Sequence, residues 1–505
     1  MRRLAAFSSA DEITEYLARD EFAHLTLVYT GNALCVIKSD IIRTWPVFYR
    51  HSGDAIEIAE TPEQHWRQNV GADQLTQFLA MGYVLGDRTI WDGVYALQSS
   101  EIIVFGKSEK KAVRSFSYQS DDPPSITAET PRETAGQELD RILTAIFSDI
   151  LETVPDASRI VVPLSGGHDS RIVVNYLYKL GFRNVLCYTY GVKDTLQAKI
   201  SRQVAAALGY EWHFMEYTED KWQEVQQSGE FDRYLEYGFR GISNPLISDL
   251  LPVRELKRRN ILKVGDIFTP GHGLDYLAGN DLTEEDFGCT TEEGALDLVF
   301  RNSIRAGEYE HRRLEALWPA VSEIYRHAGV DPEQFHLHFF WQEDEAKFIV
   351  NSNRLYEYLG YDTRIPLLDI RLIRFWLSVD RSLNIRRKFL FDLEREWLHT
   401  DELKLIPFDR EVQNTDEKPI LSRIKKWIPA SVKTMLLYLT GHKKVIDEGQ
   451  NLVFAKKPQT VAELAGDLND WPVEARLFFE KDLKRYTHQL PPHYVTRLYI
   501  LRQII

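Results

Sequence analysis

Apolar and polar residues alternate with a period of two along His24 to Tyr29 and Ala33 to Lys38, two β-rich runs set around Thr30-Gly31-Asn32. Val47 to Arg50 and Ala55 to Ala59 repeat the pattern around His51-Ser52-Gly53-Asp54, so the spacing predicts two hairpins. Asp73 to Met81 carries Leu75, Phe78 and Leu79 at helical spacing, and Glu101 to Phe105 returns to strand. Residues 1–118 therefore read as an α+β domain. Residues 119–132, with Asp121-Asp122-Pro123-Pro124-Ser125 and almost no apolar side chain, read as a linker.

Beyond the linker the pattern changes. Glu133 to Leu151 places Leu139, Ile142, Leu143, Ile146 and Ile150 on one helical face. Short apolar strands then alternate with helices, at Arg159 to Leu164, Asn184 to Tyr190, Trp212 to Glu216 and Ile261 to Phe268, which predicts a parallel α/β sheet. From about Pro332 the spacing is mainly helical, apart from a charged stretch at Asp409 to Lys418. Residues 133–505 form the second predicted domain.

Composition narrows the function classes. With 61 Lys and Arg against 75 Asp and Glu, the net charge of -14 disfavours nucleic acid and anionic lipid as partners. Cys35, Cys187 and Cys289 are too scattered for a disulfide framework or a CxxC metal pair. No stretch reaches the ~18 to 20 apolar residues of a membrane span, and the apolar run after Met1-Arg2-Arg3 is short for a signal peptide. A soluble, cytoplasmic protein is the expectation.

The chemistry concentrates at Ile160-Val161-Val162-Pro163-Leu164-Ser165-Gly166-Gly167-His168-Asp169-Ser170-Arg171, an apolar strand that runs through Ser-Gly-Gly-x-Asp-Ser into a helix. The glycines let backbone approach an anion, Ser165 and Ser170 add hydroxyl donors, and the helix N-terminus supplies free N–H groups. Asp169 would repel phosphate unless a divalent ion bridged them, which points to a Mg-nucleotide. The bland alternative is a strand-to-helix turn with an acidic first residue. A Gly-x-x-x-x-Gly-Lys-Ser/Thr loop is absent, which disfavours a kinase or P-loop ATPase.

Leu164, Ser165, Gly166, Gly167, Asp169 and Ser170 resemble the PP-loop of the ATP pyrophosphatase superfamily, and the domain order resembles the asparagine synthetase family. Three further segments are similar: Tyr188-Thr189-Tyr190-Gly191, Gly271-His272-Gly273-Leu274-Asp275, and Tyr361-Asp362-Thr363-Arg364-Ile365-Pro366-Leu367-Leu368-Asp369. Asp40-Ile41-Ile42-Arg43-Thr44-Trp45-Pro46-Val47-Phe48-Tyr49 resembles a segment of the family's glutaminase domain, Asp-x-x-Gly-x-x-Pro-Leu-Tyr-Tyr. The resemblance implies an Ntn-hydrolase-like sandwich, followed by an α/β PP-loop synthetase domain with a parallel sheet and a helical C-terminal part.

It further implies ATP and Mg2+ as cofactors, cleavage of ATP to an acyl-adenylate and pyrophosphate, and attack by ammonia or an amine to form an amide. Tyr190, Gly191, Gly271 and Gly273 would join the phosphate loop in holding ATP, and Asp169 and Asp275 would hold the metal. Asp362 would serve the attacking amine, and Lys418 the leaving pyrophosphate, with Lys425 and Lys388 as alternatives. Arg2 stands where glutamine-hydrolysing members need a nucleophilic cysteine, so a glutaminase fold without its chemistry is expected, and Cys35 reads as a core thiol. His272 replaces the family's Glu, Asp362 replaces another Glu, and Arg171 stands where a small residue is usual.

The expected partners are a small-molecule, peptide or sugar carboxylate and an amine donor; the acceptor's identity and a homodimer stay open. A catalytically silent nucleotide- or partner-binding paralogue is the alternative. The clusters Lys257-Arg258-Arg259 and Arg386-Arg387-Lys388 read as solvated charge, and Phe335, Phe339, Phe340, Trp341 and Phe348 as core.

Overall fold

The computed structural model describes residues 9–31, 34–53, 55–106, 110–119, 122–303 and 317–409, together with Leu4, Phe7, Arg497 and Ile500. Lys418 and Lys425 lie outside the described residues.

Both expected hairpins form: β1 (Leu27–Gly31) pairs antiparallel with β2 (Leu34–Lys38), and β3 (Phe48–Ser52) with β4 (Ala55–Ala59). Two strands and a helix are additions to the sequence reading: β5 (Val94–Ala96), β7 (Lys110–Arg114) after β6 (Glu101–Phe105), and α1 (Ala10–Leu17). The sheets run β1-β2-β6-β7 and β4-β3-β5. Because strand side chains alternate between faces, Ile37, Ile103 and Phe105 meet Val47, Tyr49 and Leu97 between the sheets, while Val36, Ile102 and Val104 face Ile13 and Leu17 of α1. On the far side Phe48 and Ala96 pack with Leu75 and Phe78 of α2 (Ala72–Met81). The layer order is helix, sheet, sheet, helix.

Arg43 occupies the glycine slot of the Asp40 segment and takes φ 56°. The Asp40 carboxylate holds that turn, accepting from Ile42 N at 3.0 Å and Thr44 N at 3.1 Å. The segment behind the expected linker is docked rather than free: Ile126 N donates to Ser378 O at 3.0 Å, and Asp380 N to Ile126 O at 2.8 Å.

The second half is a five-stranded, all-parallel sheet of order β10-β9-β8-β11-β12. Its strands are β8 (Ile160–Pro163), β9 (Val185–Gly191), β10 (Glu211–Glu216), β11 (Ile267–Phe268) and β12 (Asp362–Thr363). Helices α3 (Arg132–Glu152), α4 (Asp169–Lys179) and α5 (Leu196–Ala207) cover one face. Helices α6 (Glu219–Gln227), α7 (Glu230–Phe239) and α8 (Leu250–Arg258) lie on the other, where Tyr188 and Phe268 share a core with Phe48 and Phe78 of the N-terminal half.

The expected strand from Ile261 to Phe268 is mostly turn. Asn260 and Gly265 take positive φ, and the Asp266 carboxylate accepts from Lys263 N at 2.8 Å and from Arg159 Nη2 at 2.8 Å, so only Ile267 and Phe268 pair. From Pro332 to residue 409 the described residues are mainly helical apart from the short strand β12, the rest of the expected helical stretch lying outside the described residues, and Phe335, Phe339 and Trp341 are fully buried. At the C-terminus Arg497 donates to Leu79 O at 2.6 Å, and Ile500 joins the core beside α2.

Candidate active site

The chain lays down β8, β9 and β10 in one direction, then crosses back to place β11 on the other side of β8. The C-terminal ends of β8 and β11 therefore flank the switch point of the sheet, where α/β folds open their ligand crevice. The two loops at that point are 164–168 and 269–273, both singled out by their glycines.

The first loop is closed by its own serines. Ser165 N donates to Ser170 Oγ at 3.0 Å, the two hydroxyls lie 3.1 Å apart, and Gly167 N donates to Ser165 Oγ at 3.2 Å. Leu164 continues the ladder to β9, with Leu164 N on Tyr188 O at 2.8 Å and Thr189 Oγ1 donating to Leu164 O at 2.6 Å. Helix α4 starts at Asp169, so its N-terminal N–H groups and positive dipole end face the loop.

Glycine is required in the second loop. A Cβ on Gly271 would lie 2.6 Å from Ser170 N and 2.8 Å from the Asp169 carbonyl carbon, and one on Gly273, at φ 98°, would strike the Leu368 side chain. Gly271 thus seats the second loop on the first turn of α4, and Gly273 seats it on the Pro366–Leu368 turn. Three of the four similar segments meet here. Tyr190 and Gly191 end β9 two residues beyond the ladder to Leu164, with Tyr190 stacked on Tyr217 at 5.4 Å and Gly191 O accepting from Tyr217 N at 2.8 Å.

Asp169 and Asp275 are brought together: Asp275 N donates to Asp169 Oδ2 at 3.1 Å. Between their carboxylates lies Arg387, with Nη1 2.9 Å from Asp169 Oδ1 and Nη2 3.5 Å from Asp275 Oδ2. This corrects the sequence reading of Arg387 as solvated charge; its side chain is 9% exposed. Arg386 and Arg387 both adopt positive φ, 53° and 61°, a conformation that surroundings must enforce on residues other than glycine. No local pattern marks a residue 218 positions from its partner. Arg258 and Arg259, by contrast, pair with Glu255, 2.8 Å and 3.2 Å away.

Asp362 does not join the group. It is exposed and lies opposite Ile267 in the register, so Arg364, whose N–H donates to Phe268 O at 2.8 Å, stands at the C-terminal edge instead. Asp369 caps the following helix through Arg371 N at 2.9 Å.

Arg171 is fully buried, donates to Ile406 O at 2.7 Å and Pro407 O at 2.8 Å, and sits 3.9 Å from the Phe408 ring centroid. Phe408 stacks on His168 at 3.7 Å, and Asp409 N donates to Gly166 O at 3.2 Å. An arginine after the loop therefore ties residues 406–409 over it, a contact invisible to local patterning.

Behind this strap His168 Nδ1 lies 2.5 Å from Glu394 Oε2, and His399 Nε2 3.2 Å from Oε1. Burial alone would raise the Glu394 carboxyl, but the two imidazoles outweigh it and hold it at about 2. Its contribution to stability is complete above the ordinary value of 4.5 and is lost as pH falls through about 2. Thermal unfolding between pH 5 and pH 2 should consequently fall more steeply in the native chain than in Glu394→Gln; parallel slopes would show that the pair carries no pH-dependent stability.

Asp169, Gly271, His272 and Asp275 line a cavity of ≈ 450 Å³, whose opposite wall includes His336, Phe340, Asp344 and Glu345. Burial lowers the His272 imidazole to about 4, so the ring is neutral at pH 7, with Nε2 3.3 Å from Ser352 Oγ. Burial likewise lowers His336 to about 4. Among the described residues no group of three His, Cys, Asp or Glu could hold a metal ion by itself. The pair Asp169 and Asp275 fits the way Mg2+ binds, through one or two carboxylates with phosphate oxygens completing the shell. Cys35, half-buried on β2, has its thiol raised by burial, as befits a core residue. No helix among the described residues is long and apolar enough to cross a membrane.

No family model matches the chain, and no curated protein does. Among solved structures it is similar to the NH3-dependent NAD synthetase from Campylobacter jejuni subsp. jejuni NCTC 11168, with 15% identity over 45% of this chain and 96% of that one and a TM-score of 0.22. It is also similar to the NMN synthetase from Francisella tularensis, with 14% identity over 52% and 97% and a TM-score of 0.20. For the glutamine-dependent NAD+ synthetase from Acinetobacter baumannii, solved with ADP, the identity is 15% over 62% and 67%, and the TM-score is 0.21.

Proposed function

We propose that the chain is an ATP-dependent amide-forming ligase of the asparagine synthetase type. The observation that carries this reading is the seating of Gly271 on the first turn of α4, which joins a phosphate-binding loop to the carboxylates Asp169 and Asp275 at the mouth of a cavity. Loop N–H groups, the α4 dipole and the hydroxyls of Ser165 and Ser170 bind the polyphosphate. Asp169 and Asp275 hold Mg2+, which when bound supplies screening of the phosphate charge.

A substrate carboxylate oxygen attacks the α-phosphorus, the bond to the β-phosphate breaks, and pyrophosphate leaves beside Arg387. An amine then attacks the acyl carbon, AMP departs, and the amine's proton passes to a base. His272 is neutral and does not repel a cationic amine, while Asp275, Asp344 and Glu345 in the cavity wall attract one. The Arg387 pairing also favours a second reading, a silent nucleotide-binding paralogue whose metal carboxylates are already neutralised.

ATP/pyrophosphate exchange over a panel of aspartate, uronic acids and peptide carboxylates separates the two. Carboxylate-dependent exchange establishes the ligase; nucleotide binding with no exchange for any acid establishes the silent paralogue.

A further inference from the structure

All four oxygens of the Asp169 and Asp275 carboxylates face donors. Asp169 Oδ2 accepts from Asp275 N at 3.1 Å, and Asp275 Oδ1 from Tyr276 N at 3.0 Å. The other two, Asp169 Oδ1 and Asp275 Oδ2, face Arg387 Nη1 at 2.9 Å and Nη2 at 3.5 Å. A backbone N–H takes one lone pair of a carboxylate oxygen and leaves room for a second partner. A guanidinium does not, because its charge repels another cation and its nitrogens fill the space that a metal bridging the same two oxygens would need.

The backbone that carries this side chain is fixed by its neighbours. Arg386 N donates to Leu282 O at 3.2 Å, and Gly279, at φ 80°, lets Asn384 O approach so closely that a Cβ on the glycine would strike it. From that contact Arg386 and Arg387, at φ 53° and 61°, turn the chain into the short helix Lys388–Leu393. The guanidinium is thereby delivered beside the first residue of α4, at the positive end of the helix dipole, where a cation is disfavoured and a phosphate favoured. The two carboxylates offset that cost. A polyphosphate on the loop would offer the same guanidinium a new set of charged, bidentate acceptors.

We propose that Arg387 is a resident counter-cation: it keeps free divalent metal off Asp169 and Asp275, and yields its place only to a metal that arrives with the nucleotide, whose phosphates take the guanidinium in exchange. This rests on the reading of Asp169 and Asp275 as metal carboxylates and adds the order of loading to it. Metal and nucleotide enter together, and the nucleotide-free chain keeps its carboxylates paired without metal.

The test uses the full chain without nucleotide and Mn2+ as probe, binding being read as loss of the free-ion electron paramagnetic resonance signal. Arg387→Gln is expected to bind Mn2+ at least tenfold more tightly than the native chain, and the added Asp169→Asn change is expected to abolish the gain. Equal binding by the native chain and Arg387→Gln overturns the role of Arg387. A gain that survives Asp169→Asn overturns it too, because the metal then lies elsewhere. If Arg387→Gln does not fold, the native chain decides: saturable Mn2+ binding that Asp169→Asn removes overturns the proposal, and no saturable binding upholds it. Absence of ATP/pyrophosphate exchange would bear on the ligase reading and leave the Mn2+ result untouched.

Discussion

Asp169→Asn is expected to lower ATP/pyrophosphate exchange by ~10²-fold or more while the protein still folds, since charge stabilisation by a metal or a set of donors at a transferring phosphoryl group is typically worth several kcal/mol. Asp275 N and Arg387 Nη1 donate to different oxygens of Asp169, Oδ2 and Oδ1, so asparagine, with one oxygen and one NH2, can keep one of these two hydrogen bonds and sets a donor against the other. What disappears is one negative charge beside a guanidinium that is 9% exposed. Stripping a buried ion pair of one partner costs ~3–5 kcal/mol; with one hydrogen bond kept and Asp275 still 3.5 Å from Arg387, the loss should fall toward the lower end of that range. Thermal unfolding and exchange on the same sample separate the effects. Undiminished exchange in the folded variant would remove Asp169 from the metal site, and a chain that does not fold would make the carboxylate first of all a partner for Arg387.

The second large effect is expected at Gly271. Alanine there must fit a methyl 2.6 Å from Ser170 N and 2.9 Å from Ser170 Cα, distances that backbone atoms can relieve only by moving the loop or the start of α4. Overpacking of this kind costs ~1–3 kcal/mol, and a displacement near 1 Å at a reacting centre can cost ~10²-fold in rate. Gly271→Ala should therefore lower both the melting temperature and exchange. Gly167→Ala, whose new methyl would find nothing closer than Ser165 Oγ at 3.4 Å, should leave the melting temperature near that of the native chain. If Gly271→Ala melts and exchanges like the native chain, the two loops are not coupled as the packing requires.

Both residues could be found from sequence because each belongs to a short pattern with a local physical cause. An apolar strand running into Ser-Gly-Gly-x-Asp-Ser announces a tight turn and a helix start, and β8 and α4 form there. The hairpins and the helix around Leu75 and Phe78 were legible for the same reason, their period being set by nearest neighbours. Long-range pairing was not. Arg387 looks like ordinary surface charge, and Arg171 only like an arginine where a small residue is usual, until folding brings them to Asp169 and to the carbonyls of 406 and 407. Strand β12 is two residues long and gains its identity only from pairing with β11, and that register puts Asp362 away from the cleft edge. The run Ile261 to Phe268 misled because its apolar residues hid a turn nucleated by the Asp266 carboxylate.

The strap of residues 406–409 over the 164–168 loop sets where this chain can be shortened. Arg171 has no exposed surface, and its two η-nitrogens are satisfied by the carbonyls of Ile406 and Pro407. A polypeptide ending before residue 406 would leave that guanidinium inside the protein without those acceptors, a cost of several kcal/mol set against a total stability of ~5–15 kcal/mol. It would also remove Ile500 from the core beside α2 and the Arg497 bond to Leu79 O. The parallel sheet therefore does not by itself bound an independent fragment: the hydrogen bonds of Arg171 in the first turn of α4 are complete only in a chain that extends past residue 407.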